Sequence, residues 1–242
     1  MQVLDLTFSS PADNLACDEL LLDLVETDTI SGLLRFWESP RPFVVLGVSQ
    51  CVHNEVNMEA CHADDVPVLR RASAGGCVLQ GPGSLNYTLA LRRASHPALD
   101  GIRSSYCHLL GRACKALSTL GIQAEHAGIS DLAIEGRKIS GNAQKRRRNA
   151  ILHHGTLLYR LRAEQMRRYL KEPADRPDYR GDRSHDDFLT QIPVTSEALR
   201  QALIQEFAPA VTEPFSLNPD MTASMRMLST SKYGTDAWTH RR

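Results

Sequence analysis

Four glycines fall within nine residues of the stretch RRASAGGCVLQGPGSLNYTL, at Gly75, Gly76, Gly81 and Gly83, with Pro82 between the last two. Such a run opposes a helix, because each glycine adds backbone entropy and Pro82 lacks an N–H. It offers close backbone approach instead. Successive N–H groups without bulky side chains can cradle phosphate or carboxylate oxygens, and Arg71 ahead of them adds a charge. A bulge followed by a turn would use the same glycines for structure alone. Two common nucleotide folds are ruled out. No Gly-x-Gly-x-x-Gly opens a helix and no Gly-Lys-Ser/Thr follows, so neither the dinucleotide fingerprint nor the P-loop is present.

The surrounding elements point to an α+β chain. Pro11 to Glu26 carries Leu15, Leu20, Leu21, Leu22 and Val25 with acids between them, which predicts an amphipathic helix capped by Ser9, Ser10 or Asp13. LLRFWES and FVVLGVS read as strands around a turn stiffened by Pro40 and Pro42, and further strands are expected at VPVLRR and near CVLQ. Gly101 to Leu120 has helical spacing and Gly121 as its stop. DLAIEGRKISGNAQ reads as a hairpin turning at Glu135-Gly136, and AILHHGTLLYRL as another strand. KEPADRPDYRGDRSHDD, rich in charge, Pro and Gly, is expected to be a mobile surface loop or a segment that orders on substrate. A helix returns at Ser196 to Phe207. The mixture predicts mostly antiparallel sheets flanked by helices, in one domain spanning residues 1–242.

Bulk properties narrow the partners. Lys plus Arg and Asp plus Glu are 28 each, so no global field marks a nucleic-acid or acidic-membrane binder. No export signal and no long uninterrupted apolar stretch is visible, and the six cysteines (Cys17, Cys51, Cys61, Cys77, Cys107 and Cys114) form no Cys-x-x-Cys pair. A cytoplasmic protein is expected. Lys145-Arg146-Arg147-Arg148 reads as a solvated hairpin tip, or a local docking patch for an acidic protein.

Chemistry concentrates at Lys138, between the hairpin turn and the small residues Ser140-Gly141, which leave room for a ligand. Asp131, seven residues earlier across that hairpin, is placed to face the same cavity as a magnesium ligand. In HHGTLLY, alternation points His153 and His154 to opposite faces, so they make a poor metal pair and one of them is free to face a pocket.

In this order, the three stretches resemble the lipoate-protein ligase family, whose catalytic fold is related to biotin protein ligases and, more distantly, to class II aminoacyl-tRNA synthetases. NLACDELLL resembles the family's opening helix, RFWESPRPFVVLGVSQ and HNEVNMEAC its next strands and helix, and SKYGTDAW the end of its catalytic domain. GRKISGNAQ with HHGTLL is the most specific part. The resemblance implies ATP-dependent activation of lipoate or octanoate to an acyl-adenylate, with magnesium, followed by transfer to a lysine of a lipoyl-carrier protein domain. It implies that Lys138 is catalytic, contacting phosphate and acyl carbonyl, and that Asp131 lies near the phosphates. The nucleotide and acyl site would take Arg71, Ser73, Ala74, Gly75, Gly76 and Cys77 from the glycine loop, with Val78, Gln80 and Asn86 beyond it. Ser140, Gly141, His154, Gly155 and Thr156 would complete it.

Ser73-Ala74-Gly75-Gly76 and Gln80 depart from the family's usual three glycines and histidine, so a methyl enters a tight loop. QGPGSLNY also resembles the His-Gly-Pro-Gly loop of octanoyltransferases, cysteine-dependent relatives that take acyl groups from acyl carrier protein. In one transferase group the cysteine stands where this chain has Ile151; in another it lies near Gln123, where no cysteine occurs. Cys77 is expected to pack. The commonest bacterial ligases continue into an accessory domain beyond SKYGTDAW, so the resemblance implies either a separate accessory subunit or a self-sufficient short ligase. A non-catalytic acyl-carrier-binding module is the remaining alternative.

Overall fold

The computed structural model describes residues 1–160, 162–173, 176–210 and 214–242. Its described strands form two sheets. The larger holds β1 (Gln2–Asp5), β2 (Gly32–Trp37), β6 (Ser84–Arg92), β10 (Ala150–Leu158), β9 (Arg137–Arg146), β8 (Asp131–Ile134) and β7 (Glu125–Ala127), side by side in that order. The smaller sets β3 (Phe43–Leu46) between β4 (Val68–Arg70) and β5 (Val78–Gln80). β1–β2 and β3–β4 are parallel and the other pairs antiparallel, as the α+β reading expects. β2 and β3, read as neighbours around a turn, belong to different sheets; the chain crosses between layers at Pro40 to Pro42.

The helices are α1 (Pro11–Glu26), α2 (Val52–Glu55), α3 (Met58–Ala63), α4 (Ile102–Ser118), α5 (Ala163–Tyr169), α6 (His185–Phe188), α7 (Ser196–Phe207), α8 (Pro219–Leu228) and α9 (Asp236–Thr239). Strand alternation divides the core between the two faces of the large sheet. Leu34, Tyr87, Leu89 and Ile151 pack on α4 and α7, while Leu33, Ala90 and Leu152 pack on α1. A third cluster joins β3 to α2, α3 and α5. Among the described residues no helix is long and apolar enough to cross a membrane.

Two local expectations for α1 are corrected. The α1 cap is not a hydroxyl: Asn14 ties the entry by accepting from Phe8 N (3.1 Å) and donating to Phe8 O (2.8 Å) and Ser10 O (3.1 Å). Nor is α1 simply amphipathic, because α8 covers its outer side and Asn14, Asp18 and Glu19 are buried. The charged segment after Leu170 is anchored at several of its described residues (Ala174 and Asp175 lie outside them). Arg180 and Phe188 are buried in it, Glu172 accepts from Arg180 at 2.6 Å, and Arg183 donates to Gly136 O at 3.0 Å. In the basic tip, Arg146 donates to Leu99 O and Asp100 O and Arg147 pairs with Asp23, so two of its four cations are spent on the fold.

Candidate active site

Strand register lays two cross-strand rows along one face of the large sheet. The first runs Trp37, Asn86, Thr156, Gly141, Asp131; the second runs Arg35, Thr88, His154, Ala143. The glycine loop after β4 and the first turns of α1 close over them. The resulting cleft has about 690 Å³ of atom-free space, part of it open to solvent. Leu15, Trp37, Val45 and Val78 make one part apolar, and Arg71, Asp131, Lys138 and His154 make the rest polar.

Lys138 reaches the cleft through hairpin geometry. Glu135 (φ 49°) and Gly136 (φ 71°) both adopt the left-handed conformation of a two-residue hairpin turn, so Lys138 pairs with Ala133 and shares a face with Asp131. A bulge then inserts one residue opposite Leu132–Ala133 and moves Gly141, rather than Ser140, opposite Asp131. The shift turns Ser140 to the reverse face, where its hydroxyl accepts from Asn142 at 3.2 Å, so the sequence expectation that it lines the site is corrected. It also clears space: a Cβ at 141 would lie 3.0 Å from Lys138 Nζ. Nζ sits 2.9 Å from Asp131 Oδ1 with a quarter of its side chain exposed, and Tyr179 donates to Asp131 Oδ2 at 2.8 Å.

The glycine loop is held by its arginine. Arg71 donates through Nε to Ser73 Oγ (2.9 Å) and through Nη2 to Ala74 O (2.7 Å), and burial lowers its pKa to about 10, leaving it cationic at neutral pH. Gly75 (φ 97°) makes the turn, and Gly47 beneath it is required because a Cβ there would meet Gly75 O. Ala74 is exposed, so its methyl departs from the family pattern without crowding the cleft; its carbonyl is the part that is used. Arg70, the other half of the pair, donates instead to Gly47 O, Gln50 O, Trp238 O and Thr239 O.

His154 is the histidine that faces the cleft. Its Nε2 lies 2.6 Å from Ser73 Oγ and its Nδ1 3.2 Å from Asp18 Oδ2. Burial opposes ionisation of Asp18, but the Arg35 guanidinium at 2.6 Å, with His154, outweighs it and holds the carboxyl below its usual range. An ionised Asp18 only accepts, so His154 presents an N–H to it from Nδ1. His153 points the other way into the core, and burial pushes its pKa down to about 3.

Gln80, Asn86 and Thr156 form a closed ring at one wall: Gln80 donates to Thr156 (2.8 Å), Thr156 to Asn86 (2.9 Å) and Asn86 to Gln80 (2.9 Å). Gly155 borders the cleft only by its backbone. A Cβ there would point to the reverse side and meet Asn142 Oδ1 at 1.8 Å. Cys77 lines the cleft, but burial drives its thiol up to about 12. Arg71, Gly75, Gly76, Val78, Gln80, Asn86, Asp131, Lys138, Gly141, His154 and Thr156 are thus brought to one cavity, with Ser73 and Ala74 supporting its loop. Sequence reasoning missed Asp18, Leu15, Trp37, Thr88 and Tyr179. Asp18 lay inside the quoted NLACDELLL, where only strand register shows it beneath His154.

A family model described as the lipoyl protein ligase A/B catalytic domain matches residues 10–216, and the chain belongs to that family of lipoate ligases and octanoyltransferases. It is 28% identical over 272 aligned residues to octanoyltransferase LipM of Geobacillus kaustophilus, covering 99% of this chain and 97% of that protein. It is 26% identical over 241 residues to lipoate–protein ligase 1 of Staphylococcus aureus, covering 97% of this chain and 71% of that protein. Among solved structures, the bipartite lipoate protein ligase of Thermoplasma acidophilum superposes with a TM-score of 0.84 at 22% identity over 99% of this chain and 95% of that one. A lipoate-protein ligase A bound with ATP gives 0.83 at 21% identity over 99% and 98%. The fold is that of the lipoate-protein ligase catalytic domain.

Proposed function

We propose that this chain is an ATP-dependent, AMP-forming lipoate-protein ligase. The observation that carries the reading is the Lys138 ammonium, held by Asp131 in a cleft walled by the Arg71-anchored glycine loop, beside a cysteine whose thiol burial keeps protonated. A carboxylate is a poor acyl donor, so its oxygen must first be joined to AMP, with pyrophosphate leaving. A lysine amine then attacks the acyl carbon and AMP departs. Lys138 and the loop N–H groups would stabilise charge on phosphate and carbonyl oxygens, where fixed donors contribute most. The apolar wall of Leu15, Trp37 and Val78 would take the acyl chain and keep water from the adenylate. The ligases that share this fold include one described with bound ATP and one described with its E2 lipoyl domain, which supports ATP and a lipoyl-carrier domain as co-substrate and acceptor.

Magnesium would enter with the nucleotide. Among the described residues the cleft wall carries two carboxylates, Asp18 and Asp131, and Asp18 is fully engaged by Arg35, Thr88 and His154. Asp131 holds Lys138 through Oδ1 and accepts from Tyr179 through Oδ2, so it would share one oxygen with the ion while phosphate oxygens carry most of its shell. The octanoyltransferase reading is favoured by the likeness to LipM; against it, burial pushes the thiol of Cys77 on the cleft wall up to about 12 and that of the buried Cys17 up to about 11.

Lipoate-dependent exchange of pyrophosphate into ATP tests the proposal. We expect exchange, with lipoyl-AMP found by mass spectrometry of the protein. An octanoyl thioester formed from octanoyl-carrier protein without ATP would overturn it in favour of the transferase, and silence in both assays would favour a binding module. Adding a carrier domain to preformed lipoyl-AMP then shows whether transfer requires a separate accessory subunit.

A further inference from the structure

Asp131 divides its two oxygens between two elements. Oδ1 holds Lys138, and Oδ2 accepts from Tyr179, which belongs to the charged segment after Leu170. The Tyr179 ring lies on Gly128, where a Cβ would approach it to 3.3 Å, and tilts against Phe188 at 5.2 Å between centroids. The same segment takes hold of the lysine's main chain, Thr190 N donating to Lys138 O at 2.9 Å. Arg183 fastens it to Gly136 O at the hairpin turn, and Arg137 donates to Leu189 O at 2.7 Å. One segment therefore holds both the backbone and the counter-ion of Lys138.

A carboxylate with a free second oxygen can swing and chelate an ammonium, using up its hydrogens. With Oδ2 fixed, Asp131 takes one of the three donors of Lys138 and leaves two for a ligand. We propose that Tyr179 is a positioning residue for Lys138, acting through Asp131, and that its hydroxyl latches residues 176–190 to the cleft. The proposal rests on the ligase reading for its kinetic consequence and on geometry alone for the latch.

The test uses the full chain with Tyr179→Phe, which keeps the ring packing and removes only the hydroxyl, in wild-type and Asp131→Asn backgrounds. Losing a hydrogen bond to a charged group predicts a fall of about tenfold in kcat for pyrophosphate exchange, with KM for ATP changing far less. In the Asp131→Asn background the same substitution should change the rate less than about twofold, because the group it acts through is already altered. Without substrates, hydrogen–deuterium exchange should quicken in residues 179–190 of Tyr179→Phe while the melting curve stays in place. Equal losses in both backgrounds, or a wild-type rate in Tyr179→Phe, overturn the kinetic part; unchanged amide protection overturns the latch. A wild-type protein inert in pyrophosphate exchange would instead remove the ligase reading, and the amide exchange would still decide whether Tyr179 latches the segment.

Discussion

Lys138 is a solvent-reaching lysine on a strand, a type of residue whose truncation seldom changes stability by more than about 0.5 kcal/mol. Its surroundings here are unusual, since Gly141 leaves the ammonium its space and Asp131 fixes its direction. Lys138→Ala should therefore lose rate on the order of 100- to 1000-fold in both adenylation and transfer from synthetic lipoyl-AMP, with an unchanged circular dichroism spectrum. Lys138→Arg should recover little, because a planar guanidinium needs more room than an ammonium. Near wild-type rates in Lys138→Ala would remove the residue from the mechanism. The neighbouring histidines differ for reasons of side. His153, neutral between Tyr87 and Gln144, has a folded pKa of about 3, below its unfolded value of about 6.5. Protonation thus favours the unfolded chain: the stability His153 contributes is full above pH 6.5 and drains as pH falls toward 3, by at most about 1.4 kcal/mol per unit. Urea unfolding at several pH values should show a shallower slope in His153→Gln.

At the scale of elements, two glycines that look alike in sequence do different work. Gly141 faces the Lys138 ammonium, a mobile side-chain end, so Gly141→Ala should leave stability nearly intact and lower the rate by about tenfold or more through displacement of Nζ. Gly155 backs onto Asn142 and Tyr87, which are buried and hydrogen-bonded to each other at 2.5 Å. Gly155→Ala should therefore destabilise by about 1–3 kcal/mol, the usual cost of overpacking. Paired melting curves and exchange rates separate the two; equal stability losses would contradict the assigned faces. The bulge between β8 and β9 puts Gly141 on the Lys138 face and Ser140 on the other, while strand alternation after His154 turns Gly155 away from the cleft.

Across the whole molecule, Arg70 joins the start of the glycine loop to the end of the chain. Its buried guanidinium donates to carbonyls of Gly47, Gln50, Trp238 and Thr239, and Trp238 Nε1 donates back to Arg70 O at 2.8 Å. Lys232 bonds Glu19 on α1 and lies 4.4 Å from the Trp238 ring centroid, so the last helices brace both α1 and the loop. Arg70→Met leaves several carbonyls without a donor and should cost about 3 kcal/mol in urea unfolding. Shortening the chain after Tyr233 should cost a similar amount by stranding the buried cation. If either change left the unfolding midpoint in place, this brace would not be part of the fold.

Much of this was legible in the chain itself, because hydrophobic period, turn residues and glycine placement are local properties. They located α1, α4, α7 and the hairpin at Glu135-Gly136, separated His153 from His154, and set Lys138 across from Asp131. Beyond that range local chemistry is silent. Nothing in RRASAGG distinguishes Arg70, spent on the C-terminus, from Arg71, spent on the loop, because their partners are remote in sequence. Nothing in NLACDELLL reveals that Asp18 lies under His154, and nothing in a charged stretch rich in Pro and Gly reveals that Tyr179 reaches Asp131. Those contacts depend on strand order, on one inserted residue in β9 and on which helix covers which face, and these are settled only when the separate segments pack against one another.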